Sequence, residues 1–519
     1  MIGTSLPAYV FIRVSIFLLQ YTTPICLACV LLTIASMGLS ETGPRVVIGL
    51  LLGYSILDAF FALLIFYPYN RRLKLRAEHP PLKSKEERRK LVEQVLNNIP
   101  DLVQYLRGWF LGANEADIWR DNVYEFASWA FFDRRPRRLT PAEGEELDEY
   151  ISRFEQRLGR PLKPGRGETK SLRLTFDNVE VRYRSVIWYF IVGIVDLVTY
   201  FQLRYHGLQF HALAKPHSQS VIPFRPQSLF AKKRSVSRLS YWYRPHTAEN
   251  ELPVIFLHGI GIGLWPYVPY LSGLNTRFPE DENIGIIALE ILPVSFRLTD
   301  APLSQTEFIS EITLILEEHG WDQFAVVGHS YGTVLAIHMV KSPSLNPRIG
   351  SIVLIDPVCI LLHLPDVAVN FTRRKPTRAN EYLLWYFASM DPGVAHCLGR
   401  HFFWKDNIAW KEELLEIVGQ QLIEPKSRKV AVCLAERDLI VDTTTVQQYL
   451  VNGKNWTSAS NSLQQSNSID TTSSPVSEHG GDNNSIEVLW FDGLDHAQVF
   501  DKKEATAQII DLTRRCCAS

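Results

Sequence analysis

The segment around Ser330 holds the residue types and the spacing that covalent chemistry needs. The apolar run from Phe324 to Val327 leads into Gly328-His329-Ser330-Tyr331-Gly332, and small and apolar residues follow. A sharp turn from a strand into a helix lifts a serine hydroxyl out of a sheet, and the two glycines leave room for such a turn. Backbone N–H groups at the start of that helix favour a developing anion. The spacing therefore predicts Ser330 as a nucleophile.

A nucleophilic serine needs a general base and an acidic group that orients the base. His496 follows the apolar run Ile486 to Phe491, so its imidazole can face the serine at the carboxyl ends of the strands. Asp438 also follows an apolar run, which favours a carboxylate at the same rim. Asp356 ends the strand after the nucleophile and is the alternative acid. We expect Asp438 to orient His496.

The elements that must position these residues alternate between strands and helices. Helical patterns include one that opens with a capping box, Ser304 with Glu307, and a last one from Lys503 to Arg514. The alternation indicates the α/β class, a mostly parallel sheet with helices on both faces. The predicted strands are 240–244, 253–257, 284–289, 324–327, 351–355, 429–434 and 486–491.

These motifs resemble the α/β-hydrolase superfamily over roughly residues 240–515. The resemblance rests on His258-Gly259, the Ser330 segment, Arg437-Asp438 and Asp495-His496. In that family the nucleophile, acid and base follow one another along the chain, which implies Ser330, Asp438 and His496 as a catalytic triad. The glycine-rich loop after residue 257 implies an oxyanion hole made by the backbone N–H groups of Ile260 and Tyr331. The N-terminal half resembles membrane-anchored members found in fungi.

Two inserts interrupt the predicted catalytic domain. Residues 357–425 fall where family members carry a helical cap, and their many aromatic residues predict either a pocket for an acyl or alkyl group or the core of the cap itself. Residues 454–484 are rich in Ser, Asn, Thr and Gly, which predicts a disordered insertion. Without it, one helix (443–451) and one strand separate Asp438 from His496, as a single crossover requires.

The first 78 residues predict a transmembrane hairpin. Its spans, about 14–39 and 46–69, carry few charged residues, and each exceeds the ~20 residues that cross the hydrocarbon layer. Four basic residues between Arg71 and Arg76 follow the second span, so we expect both ends of the hairpin, and the catalytic domain, to face the cytosol. Asp58 lies within the second span and is either functional or turned towards the other helix.

Residues 79–239 predict a helical, membrane-associated region. Capping boxes at Ser84 and Thr140 begin two of its helices, and the aromatic block between them predicts a helical core or part of a lipid-facing pocket. The apolar segment 186–203 carries Asp196 and is flanked by arginines. This pattern favours an interfacial or re-entrant helix, with a third crossing as the alternative.

Composition and resemblance together limit the function classes. A net charge of −1 with 21% charged residues argues against a nucleic-acid partner. The resemblance implies a membrane-associated serine hydrolase that cleaves an ester of a hydrophobic, lipid-like substrate, with no metal or organic cofactor. Acyl transfer to an alcohol and thioester hydrolysis would use the same residues and stay open. So does a non-catalytic membrane scaffold.

Overall fold

A computed structural model describes residues 3–37, 42–212, 221–228, 231, 233–234, 237–275, 282–417, 428–451 and 486–518. The insertion predicted at 454–484 lies outside the described residues. Within the described part of the chain, N-terminal helices precede a sheet that has helices on both faces, and helices of a cap follow the seventh strand. The predicted fold class is therefore confirmed.

Two long apolar helices, α1 (Leu6–Met37) and α2 (Thr42–Phe61), form the N-terminal hairpin. A π-helical turn, Ala62–Phe66, continues α2 into α3 (Tyr67–Arg72). Residues 6–36 and 45–72 are long and apolar enough to cross a membrane. The helix α1 begins at Leu6, before the span predicted from residue 14, and it includes Arg13. The guanidinium of Arg13 lies 4.4 Å from the ring centroid of Tyr382, which holds this charge against the cap.

Four shorter helices follow: α4 (Lys85–Asn97), α5 (Leu102–Trp109), α6 (Arg120–Phe132) and α7 (Pro141–Leu158). Both capping boxes predicted at Ser84 and Thr140 are present. Most of the aromatic residues between them are buried, and the ring centroids of Trp109 and Trp129 are 5.8 Å apart. The Trp109 indole N–H donates to the carbonyl of His363 at 3.1 Å, which joins this layer to the cap.

The apolar segment at 186–203 forms the helix α8 (Val186–Tyr205), which is also long and apolar enough to cross a membrane. Its middle is tied to the sheet domain, because Asp196 forms buried ion pairs with Arg225 and Arg297, each at 2.8 Å. The opposite face is exposed and apolar. That face is formed by Ile187, Phe190, Ile191, Ile194, Leu197, Val198 and Phe201.

One sheet of nine strands organises the rest of the chain. Its spatial order is 2-1-3-5-4-6-7-8-9, and the six strands from the fourth to the ninth position of that series run parallel to one another. The strands are β1 (Gln209–Ala212), β2 (Lys233–Arg234), β3 (Tyr241–Arg244), β4 (Val254–Leu257), β5 (Ile286–Leu289), β6 (Phe324–His329), β7 (Ile349–Ile355), β8 (Lys429–Ala435) and β9 (Ile486–Phe491).

The boundary of the catalytic domain predicted at residue 240 lies too late for this sheet. β1 pairs antiparallel with β3, and β2 pairs with β1, so the sheet already includes residues 209–212 and 233–234. Arg225 lies between these two strands in the chain and is buried in the ion pairs with α8 and with Glu290. Sequence patterning missed this edge because its strands are short.

Alternate side chains of the central strands pack on opposite faces of the sheet. In β4, Val254 and Phe256 join one apolar core, whereas Ile255 and Leu257 join the other. Helices α9 (Val268–Gly273) and α18 (Lys503–Cys517) cover the first face. The other face is covered by α10 (Gln305–His319), α11 (Tyr331–Val340) and α17 (Thr443–Val451).

The cap lies between β7 and β8 and is helical, as predicted. Two of its aromatic residues, Phe371 and Phe402, line a cavity, whereas Tyr386 and Trp410 are buried in cores. The described helices of the cap are α12 (Pro365–Thr372), α13 (Ala379–Leu383), a π-helical turn (Leu384–Ser389), α14 (Pro392–His401), α15 (Trp404–Asn407) and α16 (Lys411–Leu415).

Candidate active site

Ser330 lies in the turn between β6 and α11, with φ 51° and ψ −120°. Such a backbone conformation costs energy for a residue with a side chain and persists only where the surroundings enforce it. A Cβ on Gly332 would lie 2.0 Å from the carbonyl oxygen of Leu257, so the turn passes too close to β4 for any other residue. The Ser330 N–H donates to the carbonyl of Ile355 at 2.9 Å, which fixes the turn to the end of β7.

The structure brings the three residues of the predicted triad together. Ser330 Oγ lies 2.8 Å from Nε2 of His496, and Nδ1 of His496 lies 2.6 Å from Oδ2 of Asp438. The other oxygen of Asp438 accepts the backbone N–H groups of Ile440 and Val441 at 2.7 and 2.9 Å. These bonds hold the carboxylate so that an Nδ1–H donates to it and Nε2 accepts the serine proton.

The charges around His496 favour its protonated form. Burial lowers the pKa of this imidazole, but the Asp438 carboxylate, with further contributions from Asp356 and Asp495, raises it to about 9. A carboxylate beside an imidazole stabilises the imidazolium that forms when the serine proton is transferred. The site is therefore arranged to hold a proton on His496.

Asp356, the alternative acid, has a different partner. One oxygen of each of Asp356 and Asp438 and a ring nitrogen of His496 lie within 4.8 Å of one another. Asp356 Oδ2, however, accepts the backbone N–H of Ala497 at 2.7 Å, while Nδ1 of His496 faces Asp438. Asp356 thus braces the loop that carries His496 rather than the imidazole itself.

Asp495 also holds the two loops of the site together, and its role was not predicted. Its Oδ1 accepts the N–H groups of His496 at 2.7 Å and Leu439 at 3.0 Å. Its Oδ2 accepts an amide hydrogen of Asn380, which belongs to α13 of the cap, at 2.8 Å. Its position next to His496 was the only signal in the sequence, and that position does not reveal that the side chain turns back onto the backbone.

The glycine-rich loop after β4 lies against the serine. A Cβ on Gly259 would lie 2.8 Å from the Cβ of Ser330. His258 fixes this loop, because Nδ1 contacts the Gly259 carbonyl at 2.7 Å and Nε2 accepts the Ile291 N–H at 2.8 Å. Burial lowers the pKa of His258 to about 4, which suits a neutral ring that both donates and accepts. Ile260, the next residue of the loop, lines the same cavity as Ser330.

His329, the neighbour of the nucleophile, is buried beneath the site. Its Nδ1 lies 2.8 Å from the hydroxyl of Tyr267, and that hydroxyl accepts the Gly259 N–H at 3.2 Å. Its ring packs against Phe500, with centroids 5.0 Å apart. His329 therefore connects the serine turn to the glycine-rich loop.

An apolar cavity opens at Ser330 and extends beneath the cap. It encloses about 670 Å³ of empty space, its open mouth included. Residues from three parts of the chain form its wall: the N-terminal helices, the cap and the loops of the sheet. The described lining consists of Trp109, Trp129, Leu174, Ile260, Ser330, Tyr331, Val358, Leu362, Val367, Ala368, Phe371, Thr372, Leu398, Phe402, Trp404 and Ile440.

Two groups in the described residues combine side chains of the types that bind metal ions. One is the group of Asp356, Asp438 and His496 at the site, whose hydrogen bonds are given above. The other consists of His211, Glu318 and His319, beside β1. In the second group the Tyr241 hydroxyl donates to Glu318 at 2.8 Å and lies 3.0 Å from Nε2 of His319.

The comparison with protein families agrees with the architecture. Residues 254–463 match the sequence model described as the alpha/beta hydrolase family, a range that includes Ser330 and Asp438 and ends before His496. No curated protein matches the chain.

Solved structures similar to this chain include three hydrolases. A membrane phospholipase A described as a bacterial virulence factor is 13% identical, with 63% of this chain and 92% of that chain covered and a TM-score of 0.35. Naproxen esterase from Bacillus subtilis is 12% identical, with 62% and 97% covered and a TM-score of 0.35. A carboxylesterase structure from Nitrososphaera gargenis is 14% identical, with 53% and 94% covered and a TM-score of 0.31. Taken with the sheet order and the turn at Ser330, the family match identifies the C-terminal part of this chain as an α/β-hydrolase domain.

Proposed function

We propose that this protein is a membrane-associated serine hydrolase that cleaves an ester bond of a hydrophobic, lipid-like substrate. The observation that carries the proposal is the continuous set of contacts from Ser330 Oγ through His496 to Asp438, at 2.8 and 2.6 Å, at the mouth of an apolar cavity. A serine so placed has a base to remove its proton and a carboxylate to stabilise the charged base.

The reaction follows from these positions. His496 Nε2 takes the proton of Ser330 as Oγ attacks the ester carbonyl, and the carbonyl oxygen gains the negative charge. The backbone N–H groups of Ile260 and Tyr331 stabilise that oxyanion. His496 then gives its proton to the leaving alcohol, and an acyl-enzyme remains on Ser330. Water, activated by the same imidazole, releases the acid and restores the serine hydroxyl.

The cavity supports a hydrophobic acyl group as the part of the substrate next to Ser330. None of the described residues that line it carries a charge, and Trp109, Trp129 and Phe402 supply large apolar surfaces. A pocket of this kind gains binding energy from apolar groups and loses it when a charge is buried without a partner. We therefore place a neutral hydrocarbon chain in this cavity.

The hairpin supports a membrane position for the hydrolase domain. Arg72, at the end of α3, lies 3.5 Å from Asp300 of the hydrolase domain, so the domain lies at the basic end of the hairpin. Basic residues flank spans mainly on the cytosolic side, and on this basis we place the domain in the cytosol. The exposed apolar face of α8 then lies in the plane of the membrane, since its other face packs on the sheet domain.

Labelling with a fluorophosphonate probe tests the proposal. The full-length chain in lipid nanodiscs should react with the probe, and Ser330→Ala should abolish the reaction. Ser342→Ala is a matched control, because Ser342 is also buried and lies just beyond the other end of α11. Persistent labelling of Ser330→Ala would place the nucleophile elsewhere, and an unlabelled but folded wild type would favour a non-catalytic scaffold.

Product analysis separates hydrolysis from acyl transfer and from thioester cleavage. Purified wild type and Ser330→Ala would be incubated with lipid esters and acyl thioesters, with and without an added alcohol. Free acid from the oxygen esters, unchanged by the alcohol, is the expected result. A new ester formed at the expense of free acid would instead assign an acyltransferase, and preferential loss of thioesters would assign a thioesterase.

A further inference from the structure

The short cap helix α13 lies between the site and the first membrane helix. On one side, Asn380 of α13 donates its amide hydrogen to Asp495 at 2.8 Å, and both side chains are buried. On the other side, α13 packs along α1. This helix therefore contacts both the loop that carries His496 and the N-terminal hairpin.

The contact with Asp495 links α13 to both loops that carry the residues of the site. Asp495 accepts the backbone N–H of His496, and it accepts the N–H of Leu439, the residue that follows Asp438. One carboxylate thus fixes the spacing between the loop of the base and the loop of the acid. Asn380 in turn fixes the orientation of that carboxylate, because its amide occupies the oxygen that faces the cap.

The contact with α1 is made by large side chains that interlock. The Tyr382 ring packs edge-on against Tyr9, with centroids 5.8 Å apart, and the guanidinium of Arg13 lies over the same ring at 4.4 Å. Ile12 and Ile16, on the same face of α1, are buried in a small core with Ala379 and Tyr386. We call this contact surface between α1 and the α13 region of the cap the seat. Because its side chains are close-packed, a displacement of α1 is transmitted to α13.

We propose that the N-terminal membrane helix positions the catalytic base, through the seat of α13 on α1 and the hydrogen bond from Asn380 to Asp495. The inference rests on the proposed function. Asn380 and Asp495 are positioning residues, because neither lines the cavity at Ser330, and they act by keeping His496 in line with Ser330 and Asp438. Turnover then depends on a hairpin that is seated against the cap, which links activity to insertion in the membrane.

Exchange of the two residues provides the first test, in full-length protein in nanodiscs. Asn380→Asp places two carboxylates in contact, and we expect kcat to fall roughly 10- to 100-fold while KM is nearly unchanged, as a misplaced catalytic group requires. Combining Asn380→Asp with Asp495→Asn restores a donor–acceptor pair, because the new amide donates to the new carboxylate and its oxygen still accepts the two backbone N–H groups. This double variant should recover most of kcat.

Asn407→Asp serves as the matched control, because Asn407 is another buried asparagine of the cap. Its Oδ1 lies 2.8 Å from Nε2 of His338, which is near the end of α11 that is far from Ser330. It should alter thermal stability without the selective loss of kcat. A double variant as inactive as Asn380→Asp, or an Asn380→Asp variant with the kcat of wild type, would overturn the inference.

The second test concerns α1. Combined Ile12→Ala and Arg13→Ala substitutions remove the seat, whereas Val10→Ala with Val14→Ala alter exposed positions of the same helix. We expect only the seat variant to lose kcat, and we expect no further loss when it is combined with Asn380→Asp, since both changes break one connection. If the loss of kcat in the combined variant equals the product of the two separate losses, the coupling is overturned. A wild type that neither reacts with fluorophosphonate nor cleaves esters would overturn the proposed function. Failure of the proposed function is therefore seen in the wild type, whereas failure of this inference is seen only in the variants.

Discussion

Asp356 directs one carboxylate oxygen to the backbone N–H of Ala497 at 2.7 Å, so it holds the end of the histidine loop and leaves the imidazole to another acid. Nδ1 of His496 lies 2.6 Å from Asp438, whose side chain has no exposed surface. Two buried carboxylates therefore flank one histidine with separate tasks. The difference between those tasks can be measured.

Replacing each acid by its amide separates the two roles. Asp438→Asn removes the charge that stabilises the His496 imidazolium and can favour the wrong tautomer, so we expect kcat/KM to fall roughly 10⁴-fold. Asp356→Asn keeps an oxygen for the Ala497 N–H and should cost far less. Initial rates with an activated ester, normalised to folded protein, give both values. Equal losses in the two variants would mean that the acids share one task.

The pH dependence of the reaction reports the charge on His496. Only the neutral imidazole accepts the serine proton, and Asp438 raises its pKa to about 9, against the lowering effect of burial. We therefore expect the rate of fluorophosphonate labelling to rise with pH from neutral towards about pH 9, rather than to level off near the 6.5 of an ordinary histidine.

Asp438→Asn provides the control for that assignment. Without the carboxylate, the effect of burial dominates, so the pKa of His496 should fall. The pH range over which the labelling rate rises should then move to lower pH, and the labelling itself should slow. Circular dichroism over the same pH range checks that the fold is intact. If the labelling rate of wild type rises with a midpoint at or below the ordinary histidine pKa, the expected effect of Asp438 is contradicted.

The three residues that meet at the candidate site could be predicted from the sequence because each follows an apolar run. Parallel strands bring their carboxyl ends to one rim, so Ser330, Asp438 and His496 needed only the strand pattern and the family order to be placed together. The capping boxes at Ser84, Thr140 and Ser304 were equally local and are all present.

The supports of the site could not be predicted in this way. The hydrogen bond from Asn380 to Asp495 joins residues from the cap and the last loop, and no periodicity relates them. Trp109 and Trp129 line the cavity although they belong to the N-terminal helices, which the family pattern does not include. Such contacts depend on how layers pack after the elements have formed, and side-chain spacing along one element carries no record of it.

The walls of the cavity should set the preferred length of the acyl chain. Phe371 and Ala368 are both on α12, and both line the cavity. Phe371→Ala enlarges the cavity, and Ala368→Phe fills it, so we expect opposite shifts in chain preference. The change in kcat/KM between short and long chains should reach roughly 10-fold in each direction.

Nitrophenyl esters from acetate to palmitate measure these shifts. Trp265→Ala is a suitable control, because this aromatic residue is partly exposed and lies outside the cavity lining. Identical chain profiles for both α12 variants would mean that the acyl group binds elsewhere.

Asp58 should stabilise the membrane helices rather than take part in the reaction. Its Oδ1 accepts the N–H of Val186 at 2.8 Å, at the start of α8, and its other oxygen accepts the hydroxyl of Thr23 in α1. A carboxylate at this helix terminus satisfies a free donor and complements the helix dipole. Asp58→Ala removes the acceptor of the Val186 N–H, and we expect it to lower the free energy of unfolding by about 1–3 kcal/mol. Asp58→Asn retains an acceptor and should lose less stability.

Thermal unfolding in nanodiscs compares the stability of the Asp58 variants. Fluorophosphonate labelling of the folded fraction of each variant should match that of wild type. The reason is that Asp58 joins α1, α2 and α8 and does not line the cavity at Ser330. Lost labelling with unchanged stability would instead assign Asp58 a part in the reaction.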